Sequence, residues 1–439
     1  MLSKEENELL TRVGQGTPMG NVIRSYWLPI LLSRELEADG KALRLRIMGE
    51  DLVTFRDTNG KVGVLDELCA HRGASLYYAR NENCGLQCVY HGWKYDVNGQ
   101  CMETPNEPPE SNFKDKVRLT NYPTAERNGI VWVFMGSQSP PPPLPAMEWS
   151  LLPADHVYAS KVVEACNWAQ ALEGGIDSSH ISFLHSEAPN APVNPGRSNQ
   201  MQDRHPRYEV VDTPFGSLMS ARRTVNEGYY YRVTPFLMPF YTIIPGMVGD
   251  NTRLTGHAWL PIDDENTVVW TITWDARKPL SEEDLDKLRR YSPDNPHVHL
   301  PLDLLAPETP EAWGAWHPKP TRANDYMRDL EREKTLRFTG IPTIGVQDKA
   351  MQESMGKIFN RSRERLGAAD TAIIKARQLW LESARAMRDR GTVPRGVLEP
   401  EAYNVRSASQ ILPLSSDWEE ALKPVIEAPQ RAAQAATIE

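Results

Sequence analysis

The chain has 439 residues, 40% of them hydrophobic and 24% charged, an ordinary globular composition with room for two or more domains. Its formal net charge of −9 argues against a nucleic-acid partner, whose phosphates it would repel. No stretch approaches the roughly 18 uninterrupted apolar residues of a membrane helix, and the charged start, Met1 to Glu8, has no apolar h-region, so a cytoplasmic protein without membrane association is expected.

Residues 1–35 mix helical and turn signals, with Trp27 and Leu31 expected to pack on the β segments downstream. From about residue 42 the pattern becomes β. Leu43, Leu45 and Ile47 alternate with charged residues, and Val53 and Phe55 alternate before Asn59-Gly60. Asn-Gly between alternating strands is the strongest short hairpin signal, and it returns at Asn98-Gly99 and Asn128-Gly129. An antiparallel β domain with a core over about 40–136 is predicted. The run Pro140 to Pro143, with Pro145, has no amide donors and a locked φ, so a stiff linker divides the chain into 1–140 and 141–439. The second region reads as mixed: helical over 165–185, strand-rich over 207–275, loops with short helices over 280–335 and an amphipathic helix over 370–390. In that helix Asp370 is the expected N-cap, Gly391 the stop, and Ile373, Trp380, Ala384 and Met387 the buried stripe. The Ala/Gln-rich tail from about 428 is expected to be frayed or helical.

Five cysteines in such a chain suit metal ligation or buried thiols better than a disulfide framework. Cys69-Ala70-His71 is followed by Cys88-Val89-Tyr90-His91, a C-x-H and then a C-x-x-H. Zinc modules usually place a Cys pair and a His pair, whereas here each loop supplies one of each. One iron can then take both thiolates and the other both imidazoles, the ligand division of a Rieske [2Fe–2S] centre, and the neutral imidazoles raise its potential. Gly73 and Gly92 permit tight loops, and Trp93 and Tyr95 can screen the site. Cys84 lacks a paired His and is read as a non-ligand, Cys101 and Cys166 as buried thiols.

A second cluster lies at Asp177, His180 and His185. Asp177 and His180 are three apart and would share a helix face. His180 and His185 would lie about 140° apart on an ideal helix, so they can chelate one ion only if the helix ends or bulges between them, for which Gly174-Gly175 and Ser178-Ser179 provide irregularity. Two His ligands invite a carboxylate, giving the facial triad of non-haem Fe(II). Asp325, Asp329, Asp348 and Glu353 are downstream candidates, and the residues alone do not choose. A bare electron carrier would need none of the long region after the linker.

These motifs, with Glu173-x3-Asp177-x2-His180-x4-His185 and Gln347 to Ser354, resemble the Rieske non-haem iron ring-hydroxylating oxygenases, in particular the phthalate dioxygenase branch. The resemblance implies an α+β fold: a Rieske antiparallel β domain followed by a helix-grip catalytic domain built on an antiparallel sheet. It implies Asp348 as the third iron ligand, and a homo-oligomer, trimer or hexamer, in which Asp177 bridges His91 of the partner subunit to His180. It implies electrons from NAD(P)H through a flavin/iron–sulfur reductase, with O2 and a small aromatic carboxylate as substrates: phthalate or a meta-substituted benzoate such as 3-chlorobenzoate. The alternative is O-demethylation of a methoxylated or phenoxylated benzoate by a Rieske monooxygenase. Arg207 resembles the branch's carboxylate-binding arginine, and Arg232 is a second candidate. A second arginine of the phthalate enzymes falls where this chain has Ile243-Ile244-Pro245, which favours a monocarboxylate with an apolar substituent.

Overall fold

A computed structural model of the chain describes residues 1–189, 191, 198–249, 252–292, 299 and 301–429, so most of the Ala/Gln-rich tail lies outside the described residues. β structure begins earlier than the alternation predicts. Trp27–Leu32 is a strand that pairs antiparallel with Ile130–Phe134, which in turn pairs with Thr124–Arg127. Trp27–Leu32 is buried along its whole length, so it carries no period-2 signal.

Two further antiparallel sheets follow, Leu43–Ile47 with Glu50–Arg56 and Val62–Asp66, and Arg80–Glu82 with Gly85–Gln87, Lys94–Tyr95 and Cys101–Glu103. Two of the Asn-Gly turns share one device. Asp57 Oδ1 accepts from the amides of Asn59 and Lys61, and Asp96 Oδ1 from those of Asn98 and Gln100, which leaves Gly60 and Gly99 at φ +79° and +75°. These strands close on a small core of their own around Val53, Phe55, Leu86, Trp93 and Tyr95, which also takes in Cys69 and Cys88.

The second half is built on an eight-stranded antiparallel sheet. Its strands are β1 (Val157–Glu164), β2 (Arg207–Thr213), β3 (Gly216–Val225), β4 (Gly228–Leu237), β5 (Tyr241–Ile244), β6 (Arg253–Pro261), β7 (Thr267–Asp275) and β8 (Ala408–Leu412). The order is 1-7-6-5-4-3-2, with β8 paired to β4 beyond the short β5. Helix α1 (Trp168–Ile176) lies on β6, and a Cβ on Gly175 would come within 2.2 Å of the Trp259 ring. The glycine pair therefore serves close packing and does not break the helix. Helix α2 (Ile344–Ser354) packs on α1, and α3 (Thr371–Arg390) crosses behind with Trp380 and Ala384 fully buried. Gly391 ends α3 at φ +63° as expected, but the Asp370 carboxylate accepts from the Gly367 amide and does not cap the helix. The N-terminal helix Lys4–Thr11 contacts this half of the chain. Asn7 Nδ2 donates to the Phe359 carbonyl at 3.1 Å, and Asn167 Nδ2 to that of Thr11 at 3.0 Å.

Candidate functional site

The two Cys/His loops are built alike. The Gly73 amide donates to the Cys69 carbonyl, and the Gly92 amide to that of Cys88, each at 2.9 Å. Both turns need the left-handed glycine at their fourth step, φ +73° and +78°. The Cys69 and Cys88 side chains interact directly and are buried. The imidazoles of His71 and His91 have ring centroids 4.5 Å apart at 77°. Trp93 stacks on His71 at 4.5 Å, with Phe113 against its edge, and the Tyr95 hydroxyl lies 3.2 Å from Cys69 Sγ. The buried His71 Nδ1 has no hydrogen-bond partner among the described residues. Two thiols, two imidazoles and an orphaned ring nitrogen fit a [2Fe–2S] cluster. Cys84 accepts from Asn59 Nδ2 outside this group. Cys101 and Cys166 are buried, and burial pushes both thiols up.

The second group forms because α1 stops. Its last residue is Ile176, Asp177 is extended at φ −84° and ψ 112°, and a single turn of 3₁₀ helix starts at His180. Asp177 and His180 therefore do not meet across a helix face as expected. They meet across the break, with Asp177 Oδ2 3.3 Å from His180 Nδ1. The same break turns the two imidazoles together, His180 Nε2 lying 3.2 Å from His185 Nε2. Asp348 Oδ1, from α2, lies 3.1 Å from His185 Nε2 and 3.5 Å from His180 Nε2.

Both Nδ1 atoms face acceptors, Asp177 Oδ2 for His180 and Gln347 Oε1 at 2.7 Å for His185. Neutral imidazoles so arranged carry their proton on Nδ1, which leaves two Nε2 lone pairs and a carboxylate aimed at one point. Those electron pairs repel unless a cation lies between them, and two nitrogens with one oxygen fit Fe(II).

The other downstream carboxylates are occupied elsewhere. Asp329 caps the helix Leu330–Thr335, Asp325 sits exposed in a left-handed turn, and Glu353 accepts from the Ala165 amide and the Tyr326 hydroxyl.

Around Asp177 lie residues whose spacing in the sequence carries no signal of a role. Its Oδ1 accepts from the Ser179 amide and hydroxyl at 2.6 Å each and from Tyr208 at 3.2 Å. Burial opposes the Asp177 charge, but His180 and Ser179 hold the carboxyl low. Burial and the Asp177 charge push the Tyr208 phenol up, which keeps it a donor. Fully buried Arg223 donates from Nη1 to Ser178 Oγ at 3.1 Å and from Nη2 to the Ser178 carbonyl.

Arg207 is not brought to this site. On β2 it is exposed and faces Arg222 and Tyr231 across the sheet, while its neighbour Tyr208 points at Asp177. Side chains alternate along a strand, so Arg207 lies on the opposite face. The arginine on the Tyr208 face is Arg232. Tyr208, Ala221, Arg232 and Ser409 form one cross-strand row. Arg232 is 8% exposed and donates to the Pro245 carbonyl at 2.8 Å, the Tyr230 hydroxyl at 3.3 Å and the Gly246 carbonyl at 3.4 Å. Among the described residues neither Arg223 nor Arg232 forms an ion pair with a carboxylate. Burial, then repulsion from Arg232, brings the Arg223 guanidinium down to about 10, still charged at neutral pH.

Residues 26–123 match the Rieske [2Fe-2S] domain, and residues 133–437 match the LigXa C-terminal domain like family. The chain is 39% identical to the 3-chlorobenzoate-3,4-dioxygenase oxygenase subunit of Comamonas testosteroni, over 97% of this chain and 99% of that protein. It is likewise 39% identical to the phthalate 4,5-dioxygenase oxygenase subunit of Pseudomonas putida, over 88% of this chain and 87% of that protein. The carbazole-bound oxygenase of carbazole 1,9a-dioxygenase, solved with its ferredoxin, has the same fold. Its TM-score is 0.56 at 18% identity, over 89% of this chain and 97% of that one. No helix among the described residues is long and apolar enough to cross a membrane. Two paired Cys/His loops, a two-histidine, one-carboxylate cluster and these matches together show that the chain belongs to the Rieske non-haem iron ring-hydroxylating oxygenases, as an oxygenase component.

Proposed function

We propose that this oxygenase component dihydroxylates the ring of an aromatic monocarboxylate such as 3-chlorobenzoate, with electrons drawn from NAD(P)H by a separate flavin/iron–sulfur reductase. The observation that carries the reading is the convergence of His180, His185 and Asp348 on one point, on the sheet face that also holds two buried, ion-pair-free arginines. The named activities of the chlorobenzoate and phthalate relatives support it.

Cys69 and Cys88 would hold one cluster iron, His71 and His91 the other, and His180, His185 and Asp348 the mononuclear iron. When bound, these groups supply one-electron transfer and oxygen activation. The chain's own residues do the positioning. Arg232 binds the substrate carboxylate and so fixes which ring edge meets the metal. Two buried like charges without a counterion are costly, and an anionic substrate relieves that cost. Pro245 and Gly246 point carbonyls at Arg232, and Arg223 is engaged by Ser178, which favours one carboxylate at Arg232 over two. Trp93 and Phe113 shield the Cys/His loops from water.

Asp177 is held for a relay. Three donors fix Oδ1 and leave Oδ2 to His180. In a ring of three subunits Oδ2 also reaches His91 of the partner subunit, joining the two imidazoles by one carboxylate. Exposed Leu68, Val89 and Tyr90 beside the Cys/His loops, and exposed Phe183 beside His180, supply apolar surface for such an assembly.

Metal analysis should give about three irons and two acid-labile sulfides per chain. Oxygen uptake should follow 3-chlorobenzoate more efficiently than phthalate, and a cis-dihydrodiol should accumulate. Two irons per chain, or no uptake with any aromatic acid, would sink the reading. Formaldehyde from a methoxybenzoate, without a diol from chlorobenzoate, would replace dioxygenation by O-demethylation. Sedimentation should give a mass that is a multiple of three chains.

A further inference from the structure

The two iron-facing histidines are held from behind by partners of unlike charge. His180 faces the Asp177 carboxylate, whereas His185 faces the neutral amide of Gln347. An amide can present either its oxygen or its nitrogen, and here the choice is fixed. Gln347 Nε2 donates to the Ile341 carbonyl at 3.1 Å, so Oε1 must be the atom turned toward His185. Gln347 is 1% exposed, so water does not compete for that oxygen.

Gln347 and Asp348 are consecutive residues near the start of α2. Asp348 Oδ1 lies 3.1 Å from His185 Nε2, while Gln347 Oε1 lies 2.7 Å from His185 Nδ1. One turn of one helix therefore faces both nitrogens of the imidazole, with an acceptor for Nδ1–H and a carboxylate beside Nε2.

We infer that Gln347 is a positioning residue of the mononuclear site: it fixes His185 as the Nδ1–H tautomer with Nε2 turned to the metal, and it does so with a neutral amide where His180 has a carboxylate. This rests on the metal-site reading above. The physical case has two parts. An acceptor on the far nitrogen of a metal-bound imidazole sets tautomer and ring orientation, and its loss typically costs 10- to 100-fold in metal affinity. A charged acceptor would also make the ring a stronger donor, so an amide here and a carboxylate on His180 give the two nitrogen ligands different strengths.

The test is Co(II) binding, read from its visible absorption, to the assembled protein after the mononuclear iron has been stripped by a chelator and the cluster retained. Gln347→Met keeps the length and removes the acceptor, and should bind Co(II) about 10- to 100-fold more weakly at unchanged cluster absorbance. Gln347→Glu restores an acceptor, and should bind at least as tightly as the wild type with shifted visible bands. Wild-type affinity in the Met variant overturns the inference, because the acceptor then does nothing. A Glu variant as weak as the Met variant also overturns it, because packing alone would then explain the loss. Should the Met variant lose its cluster or its assembly, the Glu variant carries the test, and binding weaker than wild type refutes the role. His185→Ala separates the two levels. If it binds Co(II) as the wild type does, the metal-site reading falls, whereas wild-type binding by Gln347→Met alone removes only Gln347.

Discussion

Arg232→Met offers a measurement in which two effects have opposite signs. Without substrate, Arg232 is 8% exposed, its guanidinium donates to neutral oxygens among the described residues, and it lies near the fully buried Arg223. An apolar side chain of similar length removes the desolvation cost of an unpaired buried charge and gives up its hydrogen bonds to neutral oxygens, so the substrate-free melting temperature should hold or rise. With substrate, removing one partner of a buried charge pair typically costs about 2–4 kcal/mol, which is about 30- to 1,000-fold in apparent KM. The assay is oxygen uptake with 3-chlorobenzoate and with the neutral 3-chlorobenzyl alcohol, together with thermal shifts on adding each. The acid should lose its advantage over the alcohol in both readouts, with iron content unchanged. Arg207→Ala, on the outer face of β2, should leave KM where it was. An unchanged acid-to-alcohol preference in Arg232→Met would refute the anchor, and so would a steep rise in KM for Arg207→Ala.

On the proposed relay, Asp177→Asn should keep both metal sites filled but slow electron arrival at the mononuclear iron by about 10- to 100-fold, since one amide oxygen cannot serve two ring N–H groups as a carboxylate would; rapid-mixing reoxidation of the reduced cluster reads this. Tyr208→Phe removes one of three donors to Asp177 Oδ1 and should cost about 1 kcal/mol, with a several-fold slower transfer in the same assay and an unchanged KM. Glu164 gives a pH effect. Burial raises its carboxyl to about 8, partly opposed by Lys349. Between an ordinary glutamate pKa and 8 the unfolded chain has lost the proton that the folded chain keeps. Stability therefore falls as pH rises through that window, by up to about 1.4 kcal/mol per pH unit. Glu164→Gln removes the slope, so its advantage in denaturant midpoint should be larger at pH 7.5 than at pH 5.5, and an equal advantage at both would refute the assignment.

The two metal motifs and the hairpin turns are legible in the sequence. Cys69 with His71, and Cys88 with His91, are neighbours inside tight loops, and the Asn59-Gly60 and Asn98-Gly99 turns are set by φ preference and by an aspartate two residues before the Asn, so neither needs the rest of the fold. The strand Trp27–Leu32 was not legible because burial on both faces removes alternation. Residue chemistry alone left four downstream carboxylates open, and the resemblance pointed to Asp348; the tertiary structure separates them because, of the four, it carries Asp348 to the histidines. It also decided the arginine. Arg207 and Tyr208 are adjacent in sequence but stand on opposite faces of β2, and only the register with β3 and β4 brings Arg232 into the Tyr208 row. Local chemistry is written in spacing, whereas the face a side chain occupies is set by pairing between segments far apart in the chain.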